Sequence, residues 1–218
     1  GLLFSPRDMR ALFTISRLED YSNPQRDSRD LQSLSNSKSP LTEENILSYI
    51  DSPDFFVRAD AINALRTLDK LSEETQNALI HELHENQYTT AYLAAEVIGE
   101  KHITRARDAL MLTMQSEDAY LAGKSMLALA RLGIHEALPD IIRNLRNTHN
   151  PRLLTHAAMA LTLFQQRQHI PLLFKRQLEQ WLPKTTRNEL LFAIGQLAQC
   201  GDIVYTFVRK WHQQPDKA

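Results

Sequence analysis

Ala157-Ala-Met-Ala160-Leu161-Thr-Leu-Phe164 is one copy of the pattern that decides how this chain folds. Small side chains stand at its first and fourth positions and large apolar ones at its fifth and eighth. That is the i, i+3, i+4, i+7 spacing of an α-helix buried along one stripe. The small residues let a second helix approach closely, and the large ones fill the space beside it. Working outward, Ala160-Leu161 has counterparts in Ala64-Leu65, Val97-Ile98, Ala128-Leu129 and Ala193-Ile194, at successive spacings of 33, 31, 32 and 33 residues. The small residue three positions earlier returns as Ala61, Ala94 and Ser125, and the large one three positions later as Leu68, Leu132 and Leu197.

A second apolar set keeps the same beat upstream of each copy: Ile46-Leu47 with Ile50, Leu79-Ile80 with Leu83, Leu110-Met111 with Met114, Ile141-Ile142 with Leu145, and Leu173-Phe174 with Leu178. Each repeat therefore reads as two amphipathic helices, an outer and an inner one. The turn chemistry agrees. Pro139 and Pro171, and likewise Pro151 and Pro183, fall 32 residues apart at expected helix starts, where a missing N–H costs nothing. Asp54, Asp118 and Asn150 occupy equivalent positions where an oxygen-bearing side chain caps the inner helix. Gly99, Gly133 and Gly201 follow inner helices and are expected to end them.

Asp54-Phe-Phe-Val57-Arg58-Ala-Asp-Ala61 resembles the Asp-x-x-Val-Arg-x-x-Ala turn of HEAT repeats, specifically the short HEAT-like type first named for phycobilisome lyases. The full Val-Arg pair stands only in the first repeat; Thr90-Ala91, Leu121-Ala122, Leu153-Leu154 and Thr186-Arg187 take its place later. The resemblance implies an all-α fold, a right-handed α-α superhelix (HEAT/ARM-like solenoid) of about five hairpins plus terminal helices. Tetratricopeptide and ankyrin signatures fit less well.

The expected organisation is an N-terminal helix over 1–20, with Ser5 as N-cap and Met9, Leu12 and Phe13 on one face, then a Ser/Asn-rich linker or long loop over 21–40. The repeat domain covers 41–213, with repeats near 41–70, 71–102, 103–134, 135–166 and 167–201, a closing helix over 202–213, and a tail over 214–218. The start at Gly1, the short apolar lead and the linker read as a cytosolic appendage of a longer polypeptide. Some bacterial multipass transporters bear similar HEAT-like tails, so the resemblance implies such a parent, and a location in the cytoplasm or on the cytosolic face of the inner membrane.

The chain has 218 residues, 43% hydrophobic and 23% charged, with 6 Gly and 9 Pro, which excludes collagen-like and wholly disordered chains. One cysteine, Cys200, excludes a disulfide framework. Net charge is −1, yet residues 1–102 hold 10 Lys+Arg against 17 Asp+Glu, and residues 103–218 hold 15 against 9. The expectation is a non-enzyme with no cofactor and no metal. His81-Glu82-Leu83-His84-Glu85 places its histidines three apart rather than the four of the zinc-protease motif, and reads as a solvated helix face. Cys200 has no neighbouring histidine and reads as a packing thiol.

Repeat arrays of this kind offer partners the surface lined by their inner helices. One row there, Asn63, Glu96, Leu127, Met159 and Phe192, changes from polar to apolar along the chain. With Lys124, Arg131, His156 and Arg187 beside it, it is expected either to take an amphipathic helix or extended peptide with acidic flanks, or to be plain core. The expected function is a non-catalytic protein–protein interaction scaffold that binds another protein or the rest of a parent chain. The alternative is a HEAT-like nucleic-acid-binding or DNA-repair protein of the alkylpurine glycosylase type, or a HEAT-like lyase. Against DNA, the inner-helix row Asp60, Leu93, Lys124, His156, Glu189 mixes signs and cannot neutralise a phosphate track.

Overall fold

The computed structural model describes residues 42–53, 55–84 and 88–198. The segments expected as N-terminal helix, linker, closing helix and tail lie outside the described residues, as do Asp54, Glu85, Cys200 and Gly201. Among the described residues every regular element is helical. The chain divides into two compact units, residues 1–109 and 110–218.

In the first unit, α1 (Glu43–Ile50) and α2 (Phe55–Ala64) form one hairpin, and α3 (Glu73–Glu82) and α4 (Tyr88–Glu100) the next. The second helices, α2 and α4, pack on each other, while α1 lies beside α3. The short helix α5 (Arg107–Thr113) crosses the boundary between the units. In the second unit follow α6 (Ala119–Arg131), α7 (Leu138–Asn147), α8 (Pro151–Leu163), α9 (Ile170–Gln177) and α10 (Lys184–Leu197). Here α8 packs between α6 and α10, and α7 and α9 back the layer. This is an all-α repeat fold of the solenoid class.

The repeating pairs are the core of both units. Ala64, Leu65, Val97, Ile98, Ala128, Leu129, Ala160, Leu161, Ala193 and Ile194 are each at most 1% exposed. Burying one Leu or Ile side chain is worth about 1.5–3 kcal/mol. Ser125, the one small polar residue of the set, is also fully buried; its hydroxyl lies 2.8 Å from that of Thr113, so neither is left unsatisfied.

The expected caps form. Asp118 Oδ1 accepts from the N–H groups of Tyr120 (3.0 Å) and Leu121 (2.8 Å), and Asn150 Oδ1 accepts from those of Arg152 (3.0 Å) and Leu153 (3.1 Å). The helix ends differ from expectation at one glycine. Gly99 lies inside α4 and is buried, and the left-handed residue that ends this helix is His102, with φ 54°. Gly133 (φ 70°) and Gln165 (φ 55°) stand at the corresponding points after α6 and α8. At all three the next residue's N–H reaches back to the helix: Ile103 to Ile98, Ile134 to Leu129 and Gln166 to Leu161, each at 3.0 Å. These are Schellman turns, and a short 3₁₀ turn follows each. A side chain in the left-handed region costs about 1–2 kcal/mol relative to glycine. Gln165→Gly is therefore expected to stabilise the second unit by about 1 kcal/mol after the unfolded-state entropy of glycine is deducted, read as a higher denaturation midpoint.

Cations from later elements close the carboxyl ends of earlier ones. Lys101 Nζ, at the position where other repeats carry a large apolar residue, donates to the carbonyls of Arg66 (2.9 Å) and Leu68 beyond α2. Arg176, 5% exposed, donates to the carbonyls of Arg146 and Thr148 at the end of α7 and pairs with Glu179 at 3.0 Å. In the first unit Arg58 donates to the carbonyl of Ser52 (2.6 Å) and faces Glu82 of α3 at 3.9 Å, both side chains being nearly buried. The arginine of the Val57-Arg58 pair thus ties two hairpins together.

Glu43 and His169 report pH. Burial works to raise the Glu43 carboxyl, but hydrogen bonds from the Thr75 hydroxyl and from the Ser72 N–H (2.6 Å) and hydroxyl outweigh it and bring its pKa below the ordinary value. Burial, then the positive charge of Arg146, lower the His169 pKa below 6.5. A depressed folded pKa means that the unfolded chain binds the proton more readily. The stability from His169 is therefore complete above pH 6.5 and is lost as the pH falls through the lowered folded value. Denaturation midpoints taken at about pH 7.5 and about pH 5.5 are expected to fall with pH, and His169→Gln to flatten that fall.

Candidate functional site

The shared face of α6, α8 and α10 carries the candidate surface, and helical spacing lays it out as a grid. On α6 the stripe runs Tyr120, Lys124, Leu127, Arg131; on α8, Arg152, His156, Met159, Leu163; on α10, Thr185, Glu189, Phe192, Gln196. Equivalent members lie side by side because α8 packs against both other helices.

The expected row divides in depth. Leu127 is only 5% exposed and belongs to the core, whereas Met159 is 38% and Phe192 61% exposed. Leu163, one turn beyond Met159, is 47% exposed. It extends the apolar patch, and its i+4 relation to Met159 was the signal in the sequence that marked it. Beside Phe192, a Cβ placed on Gly195 would meet nothing within 4 Å, so this side of α10 is open. Other large apolar side chains are exposed away from this stripe, at Leu112, Leu178 and Trp181. Trp181 is tied down by His149 (ring centroids 5.5 Å apart) and by a 2.6 Å hydrogen bond to Glu179.

At the other end of the stripe, Tyr120 gathers three neighbours. The Lys124 ammonium lies 5.3 Å and the Arg152 guanidinium carbon 4.9 Å from the centre of its ring, and the His156 ring meets it edge to face at 5.7 Å. His156 is buried, its Nδ1 is 2.7 Å from the Arg152 carbonyl, and its ring fills the space over Gly123. A Cβ on Gly123 would come within 2.6 Å of the His156 ring, so glycine is required there by close approach. His156 thus supports the face without lying open on it. Arg131, in the last turn of α6, is half-buried. Arg187 does not face the patch: its Nε donates to the Gln177 carbonyl (3.0 Å) and Nη2 to the Glu179 carbonyl (3.1 Å), closing the end of α9.

Chemically, the arrangement offers apolar contact and fixed positive charge. Among the described residues no group of three or more His, Cys, Asp or Glu side chains is placed to hold a metal ion, and no helix is long and apolar enough to cross a membrane. The exposed side chains of His81 and His84 lie near the end of α3.

No protein-family model matches the chain, nor does any curated protein. Solved structures that resemble it include two engineered chains. One is an engineered protein from the Northeast Structural Genomics Consortium, 15% identical, with a TM-score of 0.51 over 90% of this chain and 93% of its own. The other is a designed armadillo repeat protein, 16% identical, with a TM-score of 0.46 over 86% of this chain and 100% of its own. At such identities the first likeness speaks to the fold alone.

Proposed function

We propose that this chain is a non-catalytic protein-interaction scaffold that receives a linear segment of a partner protein, an amphipathic helix or an extended peptide with acidic flanks, on the shared face of α6, α8 and α10. One observation supports this reading above the rest. Met159, Leu163 and Phe192 stay 38%, 47% and 61% exposed on adjacent helices, beside a core whose repeating residues are at most 1% exposed. A contiguous apolar patch rimmed by charge is what protein–protein contacts use. A regulatory or assembly role in the cytoplasm within a longer chain, a membrane transporter among the parents, belongs to the same reading and is supported by the resemblance at residues 54–61.

The test is the double variant Met159→Asp with Phe192→Asp. Both side chains are exposed, so far-UV circular dichroism and the melting midpoint are expected to stay close to wild type. Affinity for peptides selected on the wild-type chain is expected to fall by at least tenfold, the loss of an anchor pair. Cooperative unfolding of the variant would mean that the patch is core. Steeply salt-dependent binding of duplex DNA by the wild type would favour the nucleic-acid alternative instead.

A further inference from the structure

We propose that the edge of the second unit formed by the α7–α8 and α9–α10 turns rests on an anionic lipid surface. Leu178 and Trp181 enter the headgroup layer, and Arg146, Lys175 and Lys184 meet the charged headgroups. The two turns lie side by side. The His149 and Trp181 rings face each other with centroids 5.5 Å apart, and Arg176 donates from α9 to the carbonyls of Arg146 and Thr148. Repeat register supplies the rest of the patch. Arg143 and Arg146 on α7 match Lys175 and Leu178 of the next hairpin, 32 residues later, and all four are exposed. Just past α9, Leu178 is 57% and Trp181 39% exposed, and the exposed Lys184 opens α10.

Charge is one-sided on this edge. Residues 138–150 and 170–184 hold two carboxylates, Asp140 and Glu179, and both are used within the chain. Asp140 pairs with Arg143 and accepts from Gln115 at 2.9 Å. Glu179 pairs with Arg176 at 3.0 Å and accepts from the Trp181 indole N–H at 2.6 Å. Arg143 and Arg176 are thereby balanced. Among the described residues no carboxylate lies within ion-pair distance of Arg146, Lys175 or Lys184. An anionic surface supplies the missing charge, and each Lys or Arg held near one strengthens binding about fivefold.

The apolar pair favours lipid over a polypeptide. Anchors of protein contacts sit in desolvated pockets, whereas leucine and tryptophan rimmed by cations are the side chains that settle at headgroup depth. Trp181 is prepared for that move. Its N–H is already satisfied by Glu179, so the ring enters without stranding a donor. His149 on one side and the Arg176 guanidinium, 5.7 Å from the ring centre, hold it in place, so little freedom is lost on binding. The stripe on α6, α8 and α10 takes no part, so this inference and the docking role stand or fall separately.

Flotation of the full chain with vesicles tests it. The chain is expected to float with phosphatidylcholine vesicles that contain about a third phosphatidylglycerol, and not with phosphatidylcholine alone. Salt at about 0.5 M is expected to release it. Arg146→Glu with Lys175→Glu, checked for native circular dichroism, is expected to lower the partition onto acidic vesicles at least tenfold, and Leu178→Asp to lower it severalfold. In Trp211→Phe, checked in the same way, Trp181 is the one tryptophan. Its emission is expected to shift to the blue on acidic vesicles and to be quenched by brominated acyl chains. Absence of flotation, flotation that survives the charge reversals or Leu178→Asp, or an unmoved Trp181 emission overturns the inference. Retention of polyglutamate in place of vesicles also overturns it and assigns the edge to an acidic protein.

Discussion

Glu82→Ala is expected to destabilise the first unit by about 3–5 kcal/mol, the cost of removing one partner of a nearly buried ion pair. The Arg58 and Glu82 side chains are 11% and 5% exposed, and the two face each other at 3.9 Å between the α1–α2 turn and the end of α3. Water compensates poorly there for a carboxylate that is taken away, and the Ser52 carbonyl that Arg58 also binds supplies only a dipole. On a chain of this size the loss corresponds to roughly 10 °C in melting midpoint. The companion variant separates charge from packing. Replacing both partners, Arg58→Met with Glu82→Leu, removes both charges together and is expected to recover most of the stability, since apolar pairs of similar volume often match buried ion pairs. A loss below about 1 kcal/mol in Glu82→Ala would show that the pair is solvated and counts for little.

Leu161→Ala is expected to cost about 3–5 kcal/mol in the second unit, the range for a fully buried leucine whose cavity cannot collapse. Leu161 is 0% exposed and lies on α8, which packs against α6, α7 and α10, so few elements are free to move in. In repeat arrays each unit leans chiefly on its neighbours. Hydrogen exchange should therefore quicken most in α6, α8 and α10. Quickening confined to α8 would mean that the hairpins fold independently, and the shared core would lose its role.

Periodicity made the helices and their phase readable, since every Ala-Leu-type pair is buried and Asp118 and Asn150 cap where their spacing placed them. Depth was not readable. Leu127, Met159 and Phe192 share a row in sequence, yet Leu127 is covered while Phe192 stands open, because exposure depends on how neighbouring side chains close over a helix. Of the left-handed helix ends only Gly133 was readable; His102 and Gln165 are not glycines and carry their strain because the Schellman hydrogen bonds determine the turn. Arg187 was misleading for a related reason. Spacing assigns a charged residue to a face, but a long flexible side chain reaches whatever carbonyl is unsatisfied. The Tyr120 cluster was missed for lack of any local pattern; its members meet only because α6 and α8 lie side by side.

The carbonyl contacts of Lys101 and Arg176 have a direction in time. Lys101 completes the end of α2 from a position beyond α4, and Arg176 completes the end of α7 from α9. During synthesis each of these hairpins is made before the residue that finishes it. A nascent chain thus carries an unfinished helix end until its successor emerges, and a truncation between two hairpins makes that transient condition permanent.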